Sequence, residues 1–351
     1  MIAPVTARRT AGGFAVPAEL EASLPPERRG VARDGVRLLV AGASGLAHRR
    51  FRDLPALLRA GDLVVVNTSA TLPAALTGWL AGGFRPVHVS GALDDGSWVV
   101  EVRRPDNRGP DRGRESGENI QLAGGVELRL AEPYPARGAQ ASRLWRATVA
   151  PPTGHVAFLT AHGRPITYAH SAAGVPLSDL QTVYAAEPGS AEMVSAGRPF
   201  SADLVVRLVA AGVTIAPLTL HAGVSSPEVH EPPAPEWFSV PESTARLVVS
   251  TRAAGHRVVA VGTTVVRALE TLAGVDGDVG GGSGWTDLVL GPQRPARVVT
   301  GLVTGLHLPE SSHLLLLEAV AGQRLVAEAY AAALAERYLW HEFGDSMLFA
   351  P

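Results

Sequence analysis

The sequence holds no cysteine and no lysine. Without cysteine there are no disulfides, thiolate zinc sites, iron–sulfur clusters or thiol nucleophiles. All 31 basic residues are arginine, which also excludes Schiff-base chemistry, lysine nucleophiles and the lysine of a P-loop. No apolar run approaches the roughly 18 residues that suggest a membrane span. The opening MIAPVTARRTAGGF lacks the apolar centre of a signal peptide. The expectation is a soluble, cytoplasmic protein with no membrane partner. Charge of one sign is not in excess either, with a formal net charge of −2. A chain that binds nucleic acid with its whole surface is strongly basic, so only a local basic patch stays open. G-x-S-x-G, H-E-x-x-H and the EF-hand loop are all missing.

At 351 residues and 46% hydrophobic content, the chain is long enough for two domains, or for one large domain carrying an insertion. Its organising stretch is residues 257–272, RVVAVGTTVVRALETL. Four apolar residues, Val258 to Val261, stop at Gly262, as a fully buried strand does. Val265, Val266, Ala268, Leu269 and Leu272 then recur at helical spacing, with Arg267 and Glu270 off that stripe. The stretch reads as strand, tight turn and helix. Thr263 or Thr264 would cap the helix, and the free N–H groups of its first turn suit an anion or a carboxylate. Such a turn is an ordinary βα connection or a ligand site at the carboxyl end of a strand.

Residues 1–13 look like a loose leader. Residues 37–40 and 62–66 read as strands, with a short helix over 51–58 between them. From 71 to 150 short alternating runs appear, at 87–89, 98–102, 126–130 and 144–149, separated by Gly, Asp and Pro. This is antiparallel β structure, a sandwich or small barrel, and its charged connection over 103–118 reads as a solvated loop. Residues 151–180 look loop-rich. Helices are expected over 201–211, 241–253, 314–322 and 325–337. The first of these would bury Leu204, Val205, Leu208 and Val209. Strands are expected over 213–220, 288–290 and 297–302. The glycine-rich stretch 274–284 lacks G-x-G-x-x-G and follows a helix, so it reads as a flexible loop. The predicted fold is a mixed α/β domain, residues 1–70 and 151–351, with an inserted all-β, barrel-like domain, residues 71–150.

Polar side chains gather at the predicted strand ends: Asn67, His221, Thr263, Thr264 and His307. Asn67 there would satisfy loop backbone as readily as touch a ligand. The turn over 305–312 leads into an apolar helix that Ser311 or Ser312 would cap, with His307 and Glu310 just before it. His221 and His230 form only a lone pair without a patterned carboxylate, which is weak as a metal site; no metal is expected. His341, Glu342 and Asp345 make a polar cluster that reads as a C-terminal cap.

Taken together, these segments resemble the S-adenosylmethionine:tRNA ribosyltransferase-isomerase family of queuosine biosynthesis, over nearly the whole chain. The resemblance is carried by FRDLPALL (51–58) with GDLVVVN (61–67), by Pro73-Ala74, and by QTVYA (181–185). It continues through Gly189-Ser190, Ala196-Gly197, TLH (219–221), EWF (236–238) and AVGTTVVR (260–267), and ends with HLP (307–309), Ser311 and GDSM (344–347). It implies an α/β domain with an inserted β-barrel. It also implies S-adenosyl-L-methionine as ribosyl donor and tRNA as partner. The ribosyl part would move onto the aminomethyl group of a 7-deazaguanine at the wobble position and be rearranged to an epoxycyclopentane, with adenine and methionine released. A sulfonium acidifies the neighbouring C–H and is itself a leaving group. Such a site needs a base near that carbon, a donor for departing adenine and groups that hold a carboxylate. None of these has to be lysine, cysteine or a metal. The resemblance implies that Thr263, Thr264, Arg267, His221 and Ser311 hold the donor. His307, with Asp345 or Glu236, would move protons, and Asn67, Gln181 and Tyr184 would meet the acceptor.

The chain departs from the family pattern in its signature loops. Asn67-Thr-Ser-Ala70 stands where N-D-T-R is usual, and Ala75 where a second arginine is usual. In VSAGRPF (194–200) Pro199 replaces a histidine. Of H-x-M-H-x-E only Glu236 remains, with Glu231 and Ala234 at the histidine positions. TGLHLP (304–309) stands for T-N-F-H-L-P. Lost arginines remove phosphate or carboxylate holders, and lost histidines remove proton carriers. These changes leave two alternatives open beside the family activity: a paralogue that uses the donor on a small-molecule acceptor, and a non-catalytic binding protein on the same scaffold.

Overall fold

In the computed structural model the described residues are 13–135, 143–168, 174–225, 233–309 and 311–351. His230, Glu231, Glu310 and all but the last residue of the expected leader lie outside them.

Buried apolar runs build the centre. Strands β1 (Arg37–Gly42), β2 (Gly45–Arg50), β3 (Leu63–Asn67), β12 (Thr214–Leu220), β13 (Glu236–Val240), β14 (Val258–Val261), β15 (Gly282–Thr286), β16 (Gly301–Gly305) and β17 (Ser346–Ala350) form one nine-stranded sheet. Their order is β15-β13-β12-β3-β14-β16-β17-β1-β2. The middle of the sheet, β12, β3, β14 and β16, is parallel, with Val64 opposite both Ile215 and Val259. Parallel strands covered on both faces are apolar throughout, and β3 is buried at every position.

Alternation along the strands splits the core. Leu63, Val65, Val258 and Ala260 face one cluster, closed by α4 (Glu242–Ala253), α5 (Thr263–Leu272), α6 (Ser312–Ala321) and α7 (Gln323–Ala335). Val64, Val66, Val259 and Val261 face the other, with Phe51, Phe200 and α3 (Ala202–Ala210). Within α3, Leu204 and Leu208 are buried and Val205 partly so, but Val209 is 58% exposed, because this helix covers the sheet with a narrow stripe. No helix among the described residues is long and apolar enough to cross a membrane.

The remaining β structure is a closed barrel. Its strands are β5 (Ala75–Leu80), β6 (Gly83–Ala92), β7 (Trp98–Val102), β8 (Asn119–Gln121), β9 (Glu127–Tyr134) and β10 (Leu144–Ala150). Closure removes the free edges of a small antiparallel sheet. Trp98, Val87, Ile120, Leu128 and Ala147 fill it, and α2 (His155–His162) packs Phe158 and Leu159 on the same core. A two-stranded ribbon of β4 (Ser69–Thr71) and β11 (Glu187–Ser190), paired in parallel, lies next to the barrel in sequence.

Several local expectations change. The 51–58 segment is a 3-10 turn over Phe51–Asp53 followed by the four-residue α1 (Leu54–Leu57). Residues 288–290 are not a strand: Leu288 and Leu290 are buried from a loop. The last expected strand begins only at Gly301. The glycine-rich stretch ends in β15, which pairs with β13, and α2 falls inside the segment read as loop.

Candidate active site

The parallel strands end at one wall of a cavity of about 820 Å³, and barrel residues such as Ser90, Arg103 and Arg143 form another. From the sheet side it is lined by Gly262, Thr263, Thr264, Arg267, His221, Glu236, His307 and Ser311. The turn between β14 and α5 makes this possible. Gly262 has φ +90°, a conformation that side-chain-bearing residues rarely adopt. It is also the N-cap of α5, so neither threonine caps the helix. Thr263 is buried, and Thr264 Oγ1 accepts from Asn67 Nδ2 at 3.2 Å.

Arg267 points from α5 to Glu236 at the start of β13 and donates Nη1–H to its Oε2. Glu236 Oε1 accepts from the backbone N–H of Gly223 at 3.0 Å. The ion pair is nearly dry, with side-chain exposures of 8% and 13%, so each charge depends on the other. Any carboxylate brought to Arg267 shares it with Glu236.

His221 follows β12. Its Nδ1 lies 2.8 Å from Ser69 Oγ, and its ring stacks on Trp237 with centroids 5.1 Å apart. Gly189 makes the space: a Cβ there would sit 2.3 Å from the imidazole. Burial, then the proximity of His155, lowers the His221 pKa to about 4. His307 is stacked on His313 at 4.5 Å with planes 5° apart. Its Nε2 is 2.9 Å from Thr304 Oγ1, and its backbone N–H donates to Tyr330 Oη at 3.1 Å. Burial, followed by His313 and His341, pushes the His307 pKa well below the ordinary histidine value. Burial and then Arg267 bring His313 to about 4. The cavity therefore presents neutral imidazoles at physiological pH. Ser311 holds the N-cap position of α6, yet its Oγ makes no capping bond and is buried with no hydrogen-bond partner among the described residues.

Four other candidates stand behind the walls rather than in them. Asn67 is 2% exposed and ties three strand ends together. Its Oδ1 accepts from the N–H groups of Ser69 and Leu220, and its Nδ2 donates to Leu220 O at 2.8 Å. Gln181 pairs with both backbone groups of Thr71, at 3.0 and 2.8 Å, in the manner of an added strand residue. Tyr184 packs its ring edge-on to Phe200. Asp345 accepts from the N–H groups of Arg37 and Leu339, each at 2.8 Å. Its two oxygens hold the chain around β17, and Glu236, not Asp345, lines the cavity with His307.

The barrel side holds residues with no motif to announce them. Arg103 and Arg143 both bind the fully buried Glu101. Glu192, just after β11, accepts from Tyr168 Oη, from Ser225 Oγ and from Ser225 N–H. Burial still raises its pKa against those bonds. Burial and nearby Glu192 push the Glu342 carboxyl up to about 8. These acids come from segments far apart in the chain, and only the turn at 341–345 showed as polar in the sequence.

The sequence profile described as queuosine biosynthesis protein matches residues 12–349. The chain belongs to the queuosine biosynthesis protein family. Members of the family named S-adenosylmethionine:tRNA ribosyltransferase-isomerase include one from Symbiobacterium thermophilum, 37% identical over 95% of this chain and 97% of its own. Another, from Thermus thermophilus, is 36% identical over 93% and 96%. A solved structure, that of S-adenosylmethionine tRNA ribosyltransferase from Thermotoga maritima, superposes with a TM-score of 0.53. It is 29% identical and covers 95% of this chain and 98% of that one. The family's ribosyltransferase-isomerases are transferases, and its architecture accords with the large sheet and closed barrel seen here. The segments that carry the family resemblance, TLH, EWF, GTT and HLP, converge on the single cavity described above.

Proposed function

We propose that this protein is a tRNA-modifying enzyme. It transfers the ribosyl part of S-adenosylmethionine to the aminomethyl group of a 7-deazaguanine in tRNA, isomerises it, and releases adenine and methionine. The observation that carries this reading is the convergence of the family segments on one cavity large enough for both substrates' reacting ends.

The residues present suit the donor. The first turn of α5 offers N–H groups to a carboxylate, and Arg267 stands one turn further along, shared with Glu236. Two flat walls, His221 on Trp237 and His307 on His313, suit a purine and a deazapurine. S-adenosylmethionine brings its own sulfonium, which acidifies the adjacent C–H and leaves as a thioether. The protein's part is to hold, orient and manage protons. For the proton transfer His307 presents a neutral imidazole hydrogen-bonded to Thr304 Oγ1, and Glu236 beside Arg267 fixes the polar end of the site. Asn67 positions Thr264 rather than touching substrate, while Gln181, Tyr184 and Asp345 support the walls.

The acceptor is tRNA in this reading because every relative compared carries tRNA in its name; nothing observed favours a small molecule. The test is incubation with S-adenosylmethionine, with and without tRNA bearing the aminomethyl deazaguanine. Adenine release that depends on that tRNA is expected. Adenine that appears only with another acceptor, or none at all, contradicts the reading.

A further inference from the structure

Four carboxyl side chains line the cavity among the described residues: Asp94, Glu192, Glu236 and Glu342. Three are engaged. Asp94 accepts from Trp285 Nε1 at 3.1 Å. Glu236 holds Arg267 and the Gly223 N–H, and Glu192 holds Tyr168 and Ser225. Glu342 alone accepts no hydrogen bond and forms no ion pair among the described residues. Its position is nevertheless fixed. Trp340 is fully buried, Phe343 is 4% exposed, and Gly344 has no room for a Cβ against Leu339 O, so the turn between α7 and β17 cannot swing out.

We propose that Glu342 is the general acid of this site and gives its carboxyl proton to the ring nitrogen of the departing base. The proposal rests on the function above, in which that base is adenine. When the bond between the ribosyl carbon and the adenine nitrogen breaks, its electron pair stays on the nitrogen. The O–H bond of Glu342 breaks, an N–H bond forms on adenine, and Glu342 is left as a carboxylate. Water then returns a proton to it. A leaving purine is a poor anion, so a positioned proton donor contributes roughly 10²- to 10⁴-fold in rate.

Three cavity histidines, one tyrosine and one arginine do not supply that proton. His221, His307 and His313 are uncharged at neutral pH. The Tyr168 hydroxyl is directed at Glu192, and Arg267 is paired and does not deprotonate. Glu192 acts electrostatically on Glu342, and Glu342 on Tyr168, all three lining the cavity, with His341 the neighbouring residue in sequence. Arg143 acts on Glu192 and so tempers this like-charge pressure. Burial and Glu192 together keep Glu342 protonated up to about pH 8, which matches an acid that works near neutrality.

The test compares wild type, Glu342→Gln and Glu342→Asp. Adenine release is followed from pH 6 to 10, beside S-adenosylmethionine affinity and an infrared titration of the resting protein. Expected are a wild-type rate that falls as pH rises through about 8, and a loss of roughly 10²-fold or more in Glu342→Gln with affinity and melting curve kept. Glu342→Asp should recover part of the rate and of the pH limb. A protonated-carboxyl infrared band, present at pH 7 in wild type, should be missing from Glu342→Gln. If wild type releases adenine and Glu342→Gln matches its rate and pH profile, the acid role is overturned while the function stands. The infrared band absent from wild type overturns it as well. If wild type releases no adenine, the function fails and the acid role falls with it.

Discussion

Asp62 is 1% exposed at the mouth of β3, and its carboxylate accepts from the N–H groups of Arg59 and Arg257 and from the Arg257 guanidinium. Burial alone would raise its pKa, but the Arg257 bonds win and hold it below the ordinary value. A depressed carboxylate stabilises the fold above its unfolded pKa near 3.8 and loses that contribution as pH falls through the lower folded value. Asp62→Ala leaves Arg257 unpaired, so a loss of about 3 kcal/mol is expected in urea unfolding at pH 7. The difference from wild type should shrink below pH 3. At the cavity, His307→Ala should lower adenine release by about 10²-fold without changing the melting curve; full turnover by that variant would remove His307 from proton transfer. Asn67, Gln181 and Asp345 show what sequence alone leaves open. A polar residue at a strand end satisfies backbone or meets a ligand with the same atoms, and only its partners decide. Asn67 was legible in both senses, and its side chain is engaged with Leu220 and Ser69.

The β14–α5 unit is the element on which the site depends. Its strand and helix were readable because an apolar run met a glycine and then a helical stripe. The helix is less amphipathic in place than its pattern implied. Arg267 and Glu270, off the stripe, are both buried, Arg267 against Glu236 and Glu270 against three backbone N–H groups, those of Arg297, Val298 and Val299. Glu270→Ala should therefore cost about 2 kcal/mol or more by orphaning those donors, measurable as a lower midpoint in urea. Gly262→Ala forces a Cβ into a left-handed conformation 3.2 Å from Ala196. The expected result is a loss of about 1–2 kcal/mol with weaker S-adenosylmethionine binding, read by calorimetry. The elements that escaped the sequence are short or uniform. In α2 the buried Phe158 and Leu159 are adjacent, which is not a helical stripe. β17 is a five-residue run buried at nearly every position, so it shows no alternation. The barrel, by contrast, announced itself through alternating runs and turn residues.

At the scale of the whole molecule, the cavity belongs to neither half alone. Sheet ends give it the α5 turn and the histidines, and the barrel gives it Arg103 and Arg143. The chemistry from the sheet side was legible because each segment lay at a strand end within a recognisable order. Glu192 was not, and Glu342 read only as part of a polar C-terminal cap, since segments about 150 residues apart have to meet before their pKa values shift. The replaced arginines, at Ala70 within β4 and Ala75 at the start of β5, and the replaced histidine at Pro199 in a turn all lie outside the nine-stranded sheet, which puts the weight of the functional claim on turnover. The measurement that tests it most directly is adenine released from S-adenosylmethionine by the purified protein, with tRNA carrying the aminomethyl deazaguanine and with the same tRNA lacking it. Release with the first tRNA and none with the second is the predicted result. Equal release with both, or none with either, would contradict the account.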